Sequence, residues 1–199
     1  MKVKIYAEGG GEGQLYDTLF RKGWREFFEK ANLRGRMPSV IRGKGRARTF
    51  DLFRTAIIHG KPDELPLLLV DSEDAVGAGH TVWQHLKIQD DWDRPDRAGD
   101  DQAFLMVQVM ETWFLADREM LRAYFGPEFR ENHMPGWPDL ESVPKATVFD
   151  TLEKATAGCD RKQYRKGKIS FEMLARLDPS KIEIACPHAK KLLDRLRKL

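Results

Sequence analysis

Two short acidic stretches carry the residue types that could do chemistry. The first is AEGGGEG at 7–13, in which Glu8 and Glu12 stand among four glycines packed into five positions. The second is DSED at 71–74, with Asp71 and Glu73 two residues apart. Each follows an apolar strand pattern: Val3, Ile5 and Ala7 alternate ahead of Glu8, and Pro66 to Val70 is the most apolar run in the chain. A carboxylate that closes a buried strand is costly unless it is paired or bound to a metal. Residues i and i+2 leaving a strand project the same way while the backbone stays extended, so Asp71 and Glu73 can share one ion. Carboxylate oxygens are hard ligands and select Mg²⁺ or Mn²⁺ over zinc. The two strand ends are therefore expected to lie side by side and hold a divalent metal. Glu12 falls in the first turn of the following helix, as a further ligand or only as a partner of the helix dipole.

Other chemistries lack their motifs. Gly9, Gly11 and Gly13 do not make GxGxxG, because position 14 is Gln14, and no GxxxxGK[ST] occurs, so there is no ATPase motif. The aspartates do not fit an EF-hand loop. His80, His85, His133 and His188 form no metal-ligand spacing, and nothing points to a Ser/His/Asp triad. Cys159 and Cys186 have no CxxC spacing and read as small buried residues.

A net charge of +3 decides little, but its distribution says more. Residues 33–48 carry Arg34, Arg36, Arg42, Lys44, Arg46 and Arg48 with no acid. Residues 161–168 carry Arg161, Lys162, Arg165, Lys166 and Lys168, again with no acid, whereas residues 89–101 hold six aspartates and two arginines. Such segregation suits a polyanion-binding face beside an acidic metal site, or else a solvated surface.

The elements that must position these residues follow from periodicity. Residues 2–7 form a strand, residues 12–32 a long helix and residues 39–41 a short strand. A helix then spans about 47–58, followed by a central parallel strand at 67–70 that is apolar on both faces. A short helix at 80–87 and an Asp-rich loop at 89–101 precede a fourth strand at 103–109 and a helix at 111–124. This order predicts an α/β fold with a mostly parallel sheet flanked by helices over residues 1–126. Residues 127–199 are expected to form a mainly helical extension packed on that core, with helices near 145–157, 170–177 and 187–199. No apolar run approaches the roughly 20 residues a membrane helix needs. With no signal-peptide pattern either, cytoplasmic residence is the expectation.

A strand ending in Glu-Gly, followed by Asp-x-Glu two strands on, resembles the Toprim domain. That domain is shared by topoisomerases, primases and nucleases of the overcoming-lysogenization-defect type. The chain is also similar, over nearly its whole length, to a bacterial family built on the domain of unknown function numbered 4276. AEGGGEG, LLLVDSED, DDQAFLMVQVMETWFLADRE and KGKISFEMLARLDPSK carry that likeness. The Toprim resemblance implies Glu8 as a general acid/base or metal ligand and Asp71 with Glu73 as ligands. The defect-type nucleases add a second glutamate, which maps to Glu12. Glu73 replaces the usual Asp of that pattern. Glu111 follows the fourth strand and is placed to join the same sheet edge, and Lys166 to offset phosphate charge.

The function these observations favour is a Mg²⁺- or Mn²⁺-dependent nuclease acting on DNA or RNA. Arg42, Lys44, Arg46, Arg48, Arg165 and Lys168 would hold backbone phosphates. The resemblance implies a setting in anti-phage defence, beside an ATPase on a separate chain. A non-catalytic nucleic-acid- or ATPase-binding protein and a primase-like nucleotidyltransferase are the rival readings.

Overall fold

In the computed structural model, which describes residues 1–159 and 163–199, the apolar runs of the first half form a four-stranded sheet. Its strands are β1 (Lys2–Ala7), β2 (Ser39–Arg42), β3 (Glu64–Asp71) and β4 (Ala103–Met106). All neighbours are parallel, in the order β2-β1-β3-β4. The chain steps outward from β1 to β2 and then returns across β1 to β3. The order therefore reverses between β1 and β3, and ligands of open α/β sheets sit at the carboxyl ends of the strands at such a reversal. Ala7 is in register with Leu69, so Glu8 and Asp71 leave the sheet side by side.

Side chains alternate across the sheet, as the two-residue strand period requires. Ile5, Ala7, Leu67, Leu69, Phe104 and Met106 face one core, while Tyr6, Leu68, Val70 and Leu105 face the other. The first face is covered by α1 (Gln14–Lys30), whose Phe20, Trp24, Phe27 and Phe28 are fully buried. Each buried phenylalanine contributes about 1.5–3 kcal/mol. The second face is covered by α2 (Arg46–His59) and α3 (Val82–Asp90) through Phe53, Trp83 and Leu86.

The remaining helices are α4 (Thr112–Ala116), α5 (Arg118–Phe125), α6 (Lys145–Thr156), α7 (Lys168–Leu174), α8 (Pro179–Ala185) and α9 (Pro187–Arg197). Leu152, Phe171, Ile182 and Leu192 from these helices belong to the same buried cluster as Ile5 and Trp24. Helix α7 lies against α1, and α9 against β4. The helical second half thus completes the core on the α1 side of the sheet. No helix among the described residues is long and apolar enough to cross a membrane.

Several elements differ from the periodicity reading, each for a local reason. Helix α1 begins at Gln14 rather than Glu12, because Gly11 and Gly13 take positive φ of 88° and 91° and keep the chain in a turn until then. Its first-turn acid is Asp17. The helix expected over 111–124 is two helices, broken at Asp117. The Asp117 carboxylate accepts the Met120 N–H at 3.1 Å, capping α5, and also binds the Asp178 N–H at 3.0 Å and Lys181 Nζ at 2.8 Å. Between the helices expected at 170–177 and 187–199, Asp178-Pro179 starts a further helix, α8, with Asp178 accepting the Ser180 N–H at 2.9 Å and proline in the first turn.

Asp117 is buried and joins the start of α5 to the start of α8. Asp117→Ala removes a cap and strands the Asp178 N–H, and is expected to lower stability by about 2–4 kcal/mol in urea denaturation.

Candidate metal centre

The sheet ends bring three carboxylates together: Glu8, Asp71 and Glu73 each present an oxygen within 4.8 Å of the other two. Glu8 follows β1, and its own N–H donates to the Leu69 carbonyl at 2.9 Å, which extends the ladder one step past the strand. Its Oε2 accepts the Asp71 N–H at 3.4 Å. Asp71 ends β3 and is 5% exposed, and its Oδ1 accepts the Met110 N–H at 2.9 Å. Glu73 joins them by a different route from the one expected. Its backbone is not extended but left-handed, at φ 66°, a conformation that costs a non-glycine residue roughly 1 kcal/mol or more. Its N–H donates to the Gln108 carbonyl at 2.9 Å, which holds that turn.

Among the described residues, two cations touch this trio. Arg46, the first residue of α2, donates from Nη1 to Glu8 Oε2 at 3.2 Å and to the Asp71 carbonyl. Its Nε and Nη2 grip the two oxygens of Asp90 at 2.6 and 2.7 Å, and its guanidinium lies 5.2 Å from the Trp92 ring centre. Lys145, the first residue of α6, donates from Nζ to Glu73 Oε2. Lys145 carries no sequence signal for the site, and Asp90 has only its place in the acidic run at 89–101, because each arrives from a separate helix.

Glu111 lies just before α4 and is 1% exposed. Its Oε1 accepts the Tyr164 hydroxyl at 3.0 Å and the Ser170 hydroxyl at 3.1 Å, while its buried Oε2 has no partner among the described residues. Glu8, Asp71 and Glu111 line one cavity of about 440 Å³, together with Gly9 to Gly11, Tyr16, Lys166 and Ser170. Ser170 belongs to the KGKISFEM stretch singled out above, which was the available hint, and Tyr164 precedes it. A larger cleft of about 740 Å³ opens between α1, α5 and α7, away from these acids.

Asp71 and Glu8 are shifted in the same direction. Burial pushes Asp71 well above the usual carboxylate range, with Glu8 and Glu111 adding to it and Lys166 and the Met110 N–H opposing. Burial also raises Glu8, against the pull of Arg46, with Glu73 adding to the rise. Burial and Glu111 raise the Tyr164 phenol, so Tyr164 remains the donor in its bond to Glu111. Such grouping of shifted acids in a concave site marks a functional candidate.

The other sequence candidates separate by exposure. Glu12 is exposed in the glycine turn, outside the trio. Arg42 is buried and structural: it bonds Asp17 at 2.9 Å and the carbonyls of Gly10 and Gly11 at 2.8 Å, so it holds the glycine turn. Arg46 serves the acids. Lys44, Arg48, Arg165, Lys166 and Lys168 are exposed and form no ion pair among the described residues. Arg161 and Lys162 lie outside the described residues. Gly9 is needed for close approach, since a Cβ there would meet the Phe20 ring at 2.8 Å.

The family described as "Domain of unknown function (DUF4276)" matches residues 7–197, nearly the whole chain. The comparisons with curated proteins and with solved structures find no match.

The raised Asp71 carboxyl has a consequence for stability. Native Asp71 keeps its proton where the unfolded chain, with an ordinary carboxyl near 3.8, has lost it, so this group makes stability fall as pH rises above that value. Asp71→Asn keeps an oxygen for the Met110 N–H and removes the effect. In chelator near pH 8 its thermal midpoint is expected above that of the wild type, by about 2–4 °C per kcal/mol relieved. The gain should vanish near pH 4, and calorimetry at both pH values checks it.

Proposed function

The chain belongs to the family of the domain of unknown function 4276, and we propose that it is a metal-dependent phosphodiesterase that cuts DNA or RNA. The observation that carries this reading is the convergence of Glu8, Asp71 and Glu73 at the strand reversal. The buried Glu111 oxygen on the wall of the same cavity, which has no partner among the described residues, supports it. Mg²⁺ or Mn²⁺ is the ion the reading calls for. Glu8, Asp71 and Glu73, whose oxygens lie within 4.8 Å of one another, would hold it. A bound ion of this type polarises a phosphoryl oxygen and makes water a better nucleophile.

The chain's own residues have distinct parts. Arg46 and the Met110 N–H hold Glu8 and Asp71 in place against mutual repulsion. Glu8, shifted upward, is suited to exchange a proton with water or a leaving oxygen. Lys166, on the cavity wall, offsets phosphate charge. Lys44, Arg48, Arg165 and Lys168 bind backbone phosphates outside the cavity, which makes binding salt-dependent and largely indifferent to sequence. The likeness of Glu8, Asp71 and Glu73 to the Toprim pattern favours the same reading. On that likeness the enzyme works in anti-phage defence, with any ATPase on a separate chain.

Purified protein with Mg²⁺ or Mn²⁺ is expected to nick supercoiled plasmid or cut structured RNA. Glu8→Gln and Asp71→Asn should each lower the rate by about 10²–10⁴-fold while leaving the circular dichroism spectrum unchanged. No cleavage of either substrate, or cleavage that survives both substitutions, overturns the reading. Primer synthesis from nucleotides would favour the transferase, and metal-independent association or a copurifying ATPase the binding protein. Lys44→Ala and Arg48→Ala should each reduce the slope of log affinity against log salt by about 0.7–0.9.

A further inference from the structure

The two cations that touch the acidic trio among the described residues are held very differently. Arg46 is fixed by Glu8, the Asp71 carbonyl and both oxygens of Asp90. Lys145 has one side-chain partner among the described residues, Glu73, and its side chain is 34% exposed. Its position is also unfavourable locally. A lysine at the first residue of a helix opposes the dipole, and Pro144 before it gives no side-chain cap. Nothing in α6 itself calls for a positive charge there; the acidic trio does.

Backbone contacts keep the pair in reach of each other. Gln108 accepts the Lys145 N–H on Oε1 at 3.0 Å and the Glu73 N–H on its carbonyl at 2.9 Å. Both backbones are thus tied to one residue, and the side-chain ion pair alone is free to change. A lysine ammonium is a point charge on a flexible stem, which suits exchange better than the fixed fork of an arginine.

We infer that Lys145 is a tethered counter-ion that competes with the divalent cation for Glu73 and so sets the metal affinity of the site. This rests on the metal reading above. A cation bound by Glu8, Asp71 and Glu73 takes over the charge that Lys145 neutralises, and the ammonium is released to solvent or substrate. Lys145 is a positioning residue, since it acts through Glu73.

The test uses Mn²⁺ alone. By titration calorimetry Lys145→Met should bind Mn²⁺ about tenfold or more tightly than the wild type, because a unit charge beside the site has gone. Lys145→Arg keeps the charge and should stay within about twofold. In the unsubstituted protein, labelling with acetic anhydride followed by peptide mass spectrometry should show Lys145 reacting faster once Mn²⁺ is saturating; this measurement needs no variant to fold. Unchanged or weaker Mn²⁺ binding by Lys145→Met, or unchanged labelling of Lys145, overturns the inference. The two readings fail separately. If Mn²⁺ binds and Asp71→Asn abolishes binding while Lys145→Met and the labelling show no effect, the metal site stands and the role of Lys145 falls. If the wild type binds no Mn²⁺, both fall.

Discussion

Three carboxylates held within 4.8 Å of one another repel, and one of them, Asp71, is almost wholly out of water. Much of the surrounding structure acts to hold that charge in place. Burying an isolated carboxylate is so unfavourable that the group takes up a proton or acquires partners, and Asp71 does some of each. Its partners come from every side of the sheet: the Met110 N–H from the segment after β4, Arg46 on its carbonyl from α2, and the charge of Lys166 from ahead of α7. The arrangement stores negative potential at one point on the sheet edge. A structure built only for stability would place apolar or solvated residues there.

That requirement explains how the second half of the chain relates to the first. The parallel sheet and its first three helices place Glu8, Asp71 and Glu73, but they do not close the site. Lys145 from α6, Tyr164 from the segment entering α7, Ser170 from the first turn of α7, and Lys166 on the cavity wall all lie beyond residue 127. They are held there by the same buried cluster that carries Trp24 and Phe27 of α1. Packing and site geometry are therefore coupled: the helices that complete the core also bring in the cations and hydroxyls that face the acids. The break at Asp117 belongs to this arrangement, since it lets the chain turn from α4 into α5 while fixing the start of α8.

The basic run at 33–48 shows how little charge alone says about role. Its residues look equivalent in the sequence, yet Arg42 is buried on Asp17 and two glycine carbonyls, Arg46 braces the acids, and Lys44 and Arg48 face solvent. The difference lies in where β2 ends and α2 begins, a matter of a few residues around Gly43 to Gly45. A Cβ at Gly43 would meet the Thr49 hydroxyl at 1.8 Å, so the tightness of that turn decides which arginine points inward.

Periodicity in the sequence was enough to place the four strands, their parallel order of use and the long aromatic helix α1, because alternating or continuous apolar runs follow from burial on one or both faces. Glu8, Asp71 and Glu73 were also legible, since an acid that closes an apolar strand is conspicuous by its cost. Beyond the sequence lay the start of α1 at Gln14, the left-handed turn at Glu73, the split at Asp117 and the start of α8, all set by backbone and capping bonds. Glu12 stood out by spacing and was left in solvent by the positive φ of Gly11 and Gly13. Lys145, Asp90, Tyr164 and Ser170 could not be assigned to the site from spacing, because their partners lie 72, 44, 53 and 59 residues away. Local pattern determines which acids must be accounted for; only the packed tertiary structure decides which distant groups come close enough to compensate them.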